Sequence, residues 1–201
     1  MNVFIVNGHE YWEKSPGRLN KTLTEYAAGF FEKRTYTVRV SYASDAFDAE
    51  EEVQKILWAD VMFIITPVFW MNVPSTLKAY LDRVYSANKG RFYAAGGRGS
   101  SGEYGSGGFL TGKSYMLITT WNARKEDFGN PSQFLFRGKS VDDVFLNIHL
   151  MQRYVGMKKL PTFSVHDVIH NPDIRKYLDD FQRHLEMVFA EERDKPAAII
   201  N

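Results

Sequence analysis

The stretch that most constrains this chain runs from Val61 to Val84, where an apolar strand, an aromatic loop and a helix follow one another directly. Val61-Met62-Phe63-Ile64-Ile65 is continuously apolar at strand length, as suits a strand covered on both faces of a parallel sheet. Pro67 is expected to end it. Pro74 suits the first position of a helix, where its missing N–H costs nothing, and Leu77, Leu81 and Val84 then recur on one face. Between the prolines a stiffened loop carries Val68, Phe69, Trp70 and Met71. Ligands of open parallel sheets bind beyond the carboxyl ends of the strands, so this loop stands where a ligand is expected and offers flat walls to a planar ring. The competing reading packs the same aromatic residues against a neighbouring helix or a second subunit.

The remaining chain repeats the pattern. Asn2 to Asn7 reads as a first strand broken by Gly8, and a helix from about Arg18 puts Leu19, Leu23, Ala27 and Phe30 on one face. Tyr36 to Val40 alternates and so reads as a strand nearer an edge. Asp48 with Glu51 caps a helix over 49–58, and Tyr115 to Thr120 is a fourth strand. Ser140 and Asp143 form a capping box for one helix bearing Val144, Phe145, Ile148, Met151 and Val155, ended by Gly156. Lys159 to Val165 reads as a fifth strand, and Asn171-Pro172 as the start of a last helix striped by Ile174, Leu178, Phe181, Leu185 and Val188. Five strands alternating with five helices, without linker or repeat, imply one α/β domain over 1–201: a doubly wound parallel sheet of order 2-1-3-4-5 with helices on both faces.

Composition narrows the chemistry. Lys plus Arg total 25 against 24 for Asp plus Glu, and this near-neutral balance without a basic run argues against a nucleic-acid partner. There is no cysteine, so disulfides, thiol redox chemistry and thiolate metal sites are excluded. No apolar run approaches a spanning helix, and Val3 to Val6 is too short for a signal peptide, so a cytoplasmic protein without membrane insertion is expected. His166 and His170 flank Asp167 off any helical face, so no metal site is expected, and His149 reads as structural. Gly107 to Ser114 matches the phosphate-binding P-loop letter for letter. It is rejected because a strand follows it where a helix is required, and Gly112-Lys113 reads as a solvent-exposed turn.

Three other loops share the carboxyl edge. Gly8 to Asn20 is too long for a tight turn, and Ser15 with Gly17 brings a hydroxyl and free amides to a helix N-terminus, which favours an anion; a simple Ser15 cap fits as well. At the end of the fourth strand, Thr120, Trp121 and Asn122 supply a hydroxyl, a ring and an amide. Phe128 and Gly129 read either as a cover or as ordinary surface loop. Gly90 to Gly108, rich in Gly, Ser and Tyr, is a long excursion of the functional kind.

Pro67-Val68-Phe69-Trp70-Met71-Asn72-Val73-Pro74, followed by Leu77 to Val84, resembles the loop and helix of flavodoxin-like NAD(P)H:quinone oxidoreductases. Thr120-Trp121-Asn122-Ala123 is similar to a signature of their modulator of drug activity B group. The resemblance spans nearly the whole chain. It implies FAD as bound cofactor, NAD(P)H as co-substrate, two-electron ping-pong reduction of a quinone, and a homodimer with sites at the interface. It also implies that FAD is held by a phosphate loop from Ser15 to Thr22 (Ser15, Gly17, Leu19, Asn20, Thr22) with His9 beside it, and by Pro67, Val68, Phe69, Trp70 and Met71. Thr120, Trp121, Asn122, Phe128 and Gly129 complete the implied set, with Tyr104 and Gly105 near the ring and Tyr104 polarising the quinone. No match occurs to the tyrosine and histidine pair of the mammalian quinone reductases, which leaves the acceptor open to azo dyes, nitroaromatics or free flavin. A rival reading makes the chain a flavin-bearing ancillary subunit of a membrane ion-efflux system.

Overall fold

The apolar runs lie side by side and all point the same way. In the computed structural model, which describes residues 1–190, the strands are β1 (Asn2–Asn7), β2 (Thr37–Tyr42), β3 (Val61–Pro67), β4 (Ser114–Thr120), β5 (Lys158–Lys159) and β6 (Phe163–Val165). They form one parallel sheet of order β2-β1-β3-β4-β5, with β6 also on β4. The order is the expected one. Residues 191–201 of the domain expected over 1–201 lie outside the described residues.

The helices are α1 (Arg18–Glu32), α2 (Ala49–Trp58), α3 (Ser75–Ser86), α4 (Val141–Val144), α5 (Leu146–Tyr154) and α6 (Ile174–Val188). Alternate side chains of the strands feed two cores. Phe4, Val6, Met62, Ile64 and Leu117 meet α2, α3 and α5 on one face, while Val3, Ile5, Phe63, Ile65 and Ile118 meet α1 and α6 on the other. All seven residues of β3 are buried, which is why Val61 to Ile65 is unbroken apolar, whereas the edge strand β2 alternates. Each Leu, Ile or Phe so buried contributes about 1.5–3 kcal/mol.

The structure differs from the expected elements in instructive ways. β3 continues through Pro67, because the last position of a strand needs no N–H from that residue, and Val68 carries the pairing on by donating to Thr120 O (3.1 Å). Pro74 precedes α3 instead of opening it. The single helix expected after Ser140 is two, because Phe145 leaves helical geometry (ψ 22°) and turns its ring into the core; the Ser140–Asp143 capping box is present. The expected fifth strand is split at Leu160-Pro161-Thr162, where Pro161 has no N–H to give. The last helix starts at Ile174 under an Asp173 cap, two residues beyond Pro172. The P-loop look-alike leads into β4. Its Lys113 is half-buried, not a solvent-exposed turn residue: Nζ donates to Leu57 O and Ala59 O, both at 2.6 Å, and burial lowers its pKa.

Candidate functional site

The site is built where three loops leave the carboxyl ends of β1, β3 and β4. The first begins at Asn7, whose Oδ1 accepts from His9 N (2.9 Å), and folds into a two-residue hairpin in which Trp12 and Ser15 exchange backbone bonds (3.2 and 2.9 Å). His9 Nε2 lies 2.8 Å from Ser15 O and props the hairpin from behind. Gly17 then takes φ +81°, and an added Cβ there would fall 2.4 Å from His9 Nδ1, so this position admits only glycine. No side chain caps α1. Ser15 is therefore not a helix cap. The N–H groups of Arg18, Leu19 and Asn20 have no acceptor within the helix and stay open to an anion, with Lys14 and Arg18 exposed beside them.

The aromatic loop is a second hairpin. Phe69 N donates to Asn72 O (2.9 Å) and Asn72 N to Phe69 O (3.1 Å), leaving Trp70 and Met71 as the two turn residues at φ +50° and +62°. Positive φ at both positions is the requirement of a type I′ turn, which normally takes Asn-Gly. Here it is met by two bulky residues, each in a region that costs on the order of 1 kcal/mol. The tip holds the Trp70 indole 97% exposed. An aromatic ring on a strained tip is poised for a partner surface, not for the core.

Between the two hairpins runs a groove of about 870 Å³. Pro67, Val68, Phe69 and Trp70 form one wall, and the Lys14–Leu19 loop with Trp12 forms the other. Its floor is Asn20 and Thr120. Asn20 Nδ2 donates to Thr120 Oγ1 (3.3 Å), while Asn20 Oδ1 is buried with no partner. A buried carbonyl left unpaired costs about 1–3 kcal/mol, so the groove floor is incomplete without a donor from a ligand. Asn122 lines the rim.

Ser15, Gly17, Leu19, Asn20, Pro67, Val68, Phe69, Trp70, Thr120 and Asn122 are thus brought together. The other expected residues are placed elsewhere. His9 stands behind the groove, edge-on to Phe69 at 6.4 Å. Thr22 turns its hydroxyl back to Arg18 O (3.0 Å) and lines a separate hollow with Tyr26 and Phe30, because it lies a turn further down α1. Met71 faces the far side of its hairpin, over a hollow of about 460 Å³ shared with Asn122, Leu135 and Phe136.

Trp121 is a correction: its ring is 1% exposed under Phe128, Phe136 and Phe145, at 4.8, 6.0 and 5.7 Å between centroids. Nε1 donates to Thr119 Oγ1 (2.8 Å), N to Val165 O, and its carbonyl accepts from Val168 N, so it has nothing left to offer a ligand. Phe128 is likewise stacked on Phe136 at 4.3 Å, and Gly129 N donates to Lys139 O, so this segment closes on the core and not over the groove. Tyr104 and Gly105 lie beside Tyr154 at the other end of α5, and neither lines the groove of its own chain.

Val168, Ile169 and Trp12 line the groove without having been expected there. The signal for the first two was available, since they follow the last strand and so share the carboxyl edge. A larger hollow of about 980 Å³ lies between β6 and α6. It is lined by groups already paired with each other, such as Lys176 and Arg183 on Asp180, and lacks an open aromatic platform; the smaller groove is the better candidate. In the lining of the larger hollow, Asp142 is half-buried, which would raise its pKa, but bonds from His149, Lys159 and Thr162 outweigh that and hold the carboxyl well below its usual range.

Comparison with known proteins places this geometry. Residues 1–185 match a family described by its flavodoxin-like fold. The chain is 37% identical over 192 residues to NADPH:quinone oxidoreductase MdaB of Haemophilus influenzae, covering 94% of this chain and 100% of that one. Among solved structures, a Klebsiella pneumoniae protein provisionally described as a quinone reductase superposes with TM-score 0.76 at 21% identity over 100% of this chain and 88% of the other. NAD(P)H:quinone oxidoreductase from Methanothermobacter marburgensis does so with TM-score 0.65 at 16% identity, over 95% and 97%. At these identities the superpositions speak to the fold alone.

Proposed function

The chain belongs to the family of flavodoxin-like fold and, within it, to the modulator of drug activity B group, and on that premise we propose that it is a flavin-dependent NAD(P)H:quinone oxidoreductase. The reading has it hold FAD in the groove of about 870 Å³ and act by a ping-pong mechanism as a homodimer. The observation that carries it is the pairing, in one groove, of an uncapped helix N-terminus with an exposed indole. An anion-binding end and a flat apolar end are what a flavin nucleotide requires, and the unpaired Asn20 Oδ1 between them asks for an N–H donor of the kind a flavin ring carries.

When bound, the flavin supplies the redox chemistry, taking a hydride from NAD(P)H and delivering two electrons to the quinone in a separate half-reaction. The rest is positioning by this chain. The Arg18, Leu19 and Asn20 amides, with Lys14 and Arg18 beside them, would hold phosphates. Pro67, Val68 and Phe69 would give the ring an apolar wall, and Trp70 would close the outer side. Thr120 Oγ1, by accepting from Asn20 Nδ2, leaves Asn20 Oδ1 as the unpaired acceptor of the amide.

The homodimer is supported by apolar side chains left outside the fold: Phe134 is 86% exposed and Tyr104 74%. Since Tyr104 stands away from its own groove, its proposed contact with the quinone needs the second copy. The deciding experiment is oxidation of NADPH and of NADH by the flavin-loaded protein, with and without a small naphthoquinone. Quinone-dependent turnover is expected, and its absence would overturn the reading. Chromatography of the released flavin should give FAD; FMN instead would correct the cofactor and leave the quinone chemistry standing.

A further inference from the structure

α3 carries the aromatic hairpin at its head, yet no residue of its own sequence neighbourhood caps it: Pro74 precedes it without a side-chain bond. The cap arrives from the first loop. Glu10 Oε2 accepts from Ser75 Oγ (2.8 Å), Thr76 N (3.2 Å) and Thr76 Oγ1 (3.4 Å), across more than sixty residues of chain. Those bonds, Ser75 Oγ foremost, hold the Glu10 carboxyl below its usual pKa. Gly8, two residues earlier, lies so close over α3 that a Cβ there would fall 2.3 Å from Leu77 Cδ2. Between them His9 reaches both hairpins, with Nε2 on Ser15 O at 2.8 Å and its ring edge-on to Phe69. The Gly8-His9-Glu10 tripeptide is therefore the joint between the loop that offers amides and the hairpin that offers rings.

We propose that Glu10 is a positioning residue that locks the anion-holding loop to the ring-holding hairpin, so that the two ends of one flavin nucleotide are gripped at a fixed separation. The inference rests on the flavin reading above. Its physical content is that of linked binding sites: a ligand spanning both loops gains from the effective concentration that a rigid joint confers, while a ligand touching one loop does not. Glu10 itself is not among the residues lining the groove, so its influence has to pass through α3.

The test compares whole and partial ligands on the purified apoprotein by equilibrium dialysis, using FAD, riboflavin as the ring without phosphate, and ADP as the phosphates without ring. In Glu10→Ala, FAD should bind about tenfold more weakly while riboflavin and ADP change by less than about twofold. Glu10→Gln keeps a carbonyl to accept from Ser75 and Thr76 and should lose about threefold or less for FAD, and it carries the same comparison if the alanine variant fails to fold. An unchanged FAD affinity would overturn the proposal, as would an equal loss for all three ligands, which is the mark of a general structural role. A wild-type protein that binds none of the three overturns the flavin reading itself, and the positioning role with it.

Discussion

Trp70 and Trp121 occupy matching places in the chain, each just past the carboxyl end of an adjacent central strand, and they meet opposite fates. Trp70 is 97% exposed on the loop after β3, while Trp121 is 1% exposed on the loop after β4. What differs is the chain that follows. After Trp121 the segment runs out through Phe128 and Phe136 and returns to Phe145, laying three rings over the indole. After Trp70 there is one more residue before the Phe69–Asn72 pair closes the turn, so nothing can fold back over it. For these two rings, position at the ligand edge of the sheet decides the outcome only together with what the following chain lays over them.

The largest effect expected from this contrast is in Trp121→Ala. Removing a fully buried indole whose N–H is bonded to Thr119 should cost about 3–5 kcal/mol of stability, read from urea or thermal unfolding of the flavin-free protein. A loss under about 1 kcal/mol would mean that the covering rings are not a packed unit. Trp70→Ala is the opposite case. Apoprotein stability should stay within about 0.5 kcal/mol, as for a surface substitution, while flavin affinity falls by about tenfold, or 1.4 kcal/mol, from lost stacking. Should the apoprotein lose several kcal/mol with its affinity intact, the two tryptophans would be alike after all and the groove would lose its cover.

The sequence shows the sheet more readily than the site. Unbroken apolar runs such as Val61 to Ile65 and turn residues such as Gly8 are local signals, and the strand order followed from them. The split of the last strand had a local cause in Pro161, whereas the break at Phe145 was not legible, because it depends on how that ring packs once the core is assembled. At the site, Asn20 and Thr120 were legible as residues at the right edge of the sheet. Their mutual bond, and the orphaned oxygen it leaves, belong to side-chain packing across a hundred residues. Trp121 misled for the same reason: its composition suits a ligand, and only the return of Phe145 takes it away. Glu10 carries no motif at all. Its role rests wholly on the helix terminus it happens to meet.

The smallest expected effect concerns the tip of the exposed hairpin and has the opposite sign. Met71 holds φ +62° in a turn that favours glycine, next to Trp70 at +50°, so the tip stores strain at two adjacent residues. Met71→Gly removes a left-handed penalty of about 1–2 kcal/mol. Part of this is offset, because glycine enlarges the entropy of the unfolded chain by about 0.4–1 kcal/mol, and because Met71 is only 44% exposed and gives up some contact with the hollow beside it. The net should be a gain of roughly 0.5 kcal/mol in the apoprotein, small but opposite in sign to most substitutions. The same change loosens the turn that holds the Trp70 indole, so flavin affinity should drop by about twofold even as the fold becomes more stable. Melting curves and flavin titrations on this one variant separate the two quantities. If both fall together, Met71 matters for packing and the tip is not strained; if both rise, the strain opposes binding and the rigid-tip account of Trp70 is wrong.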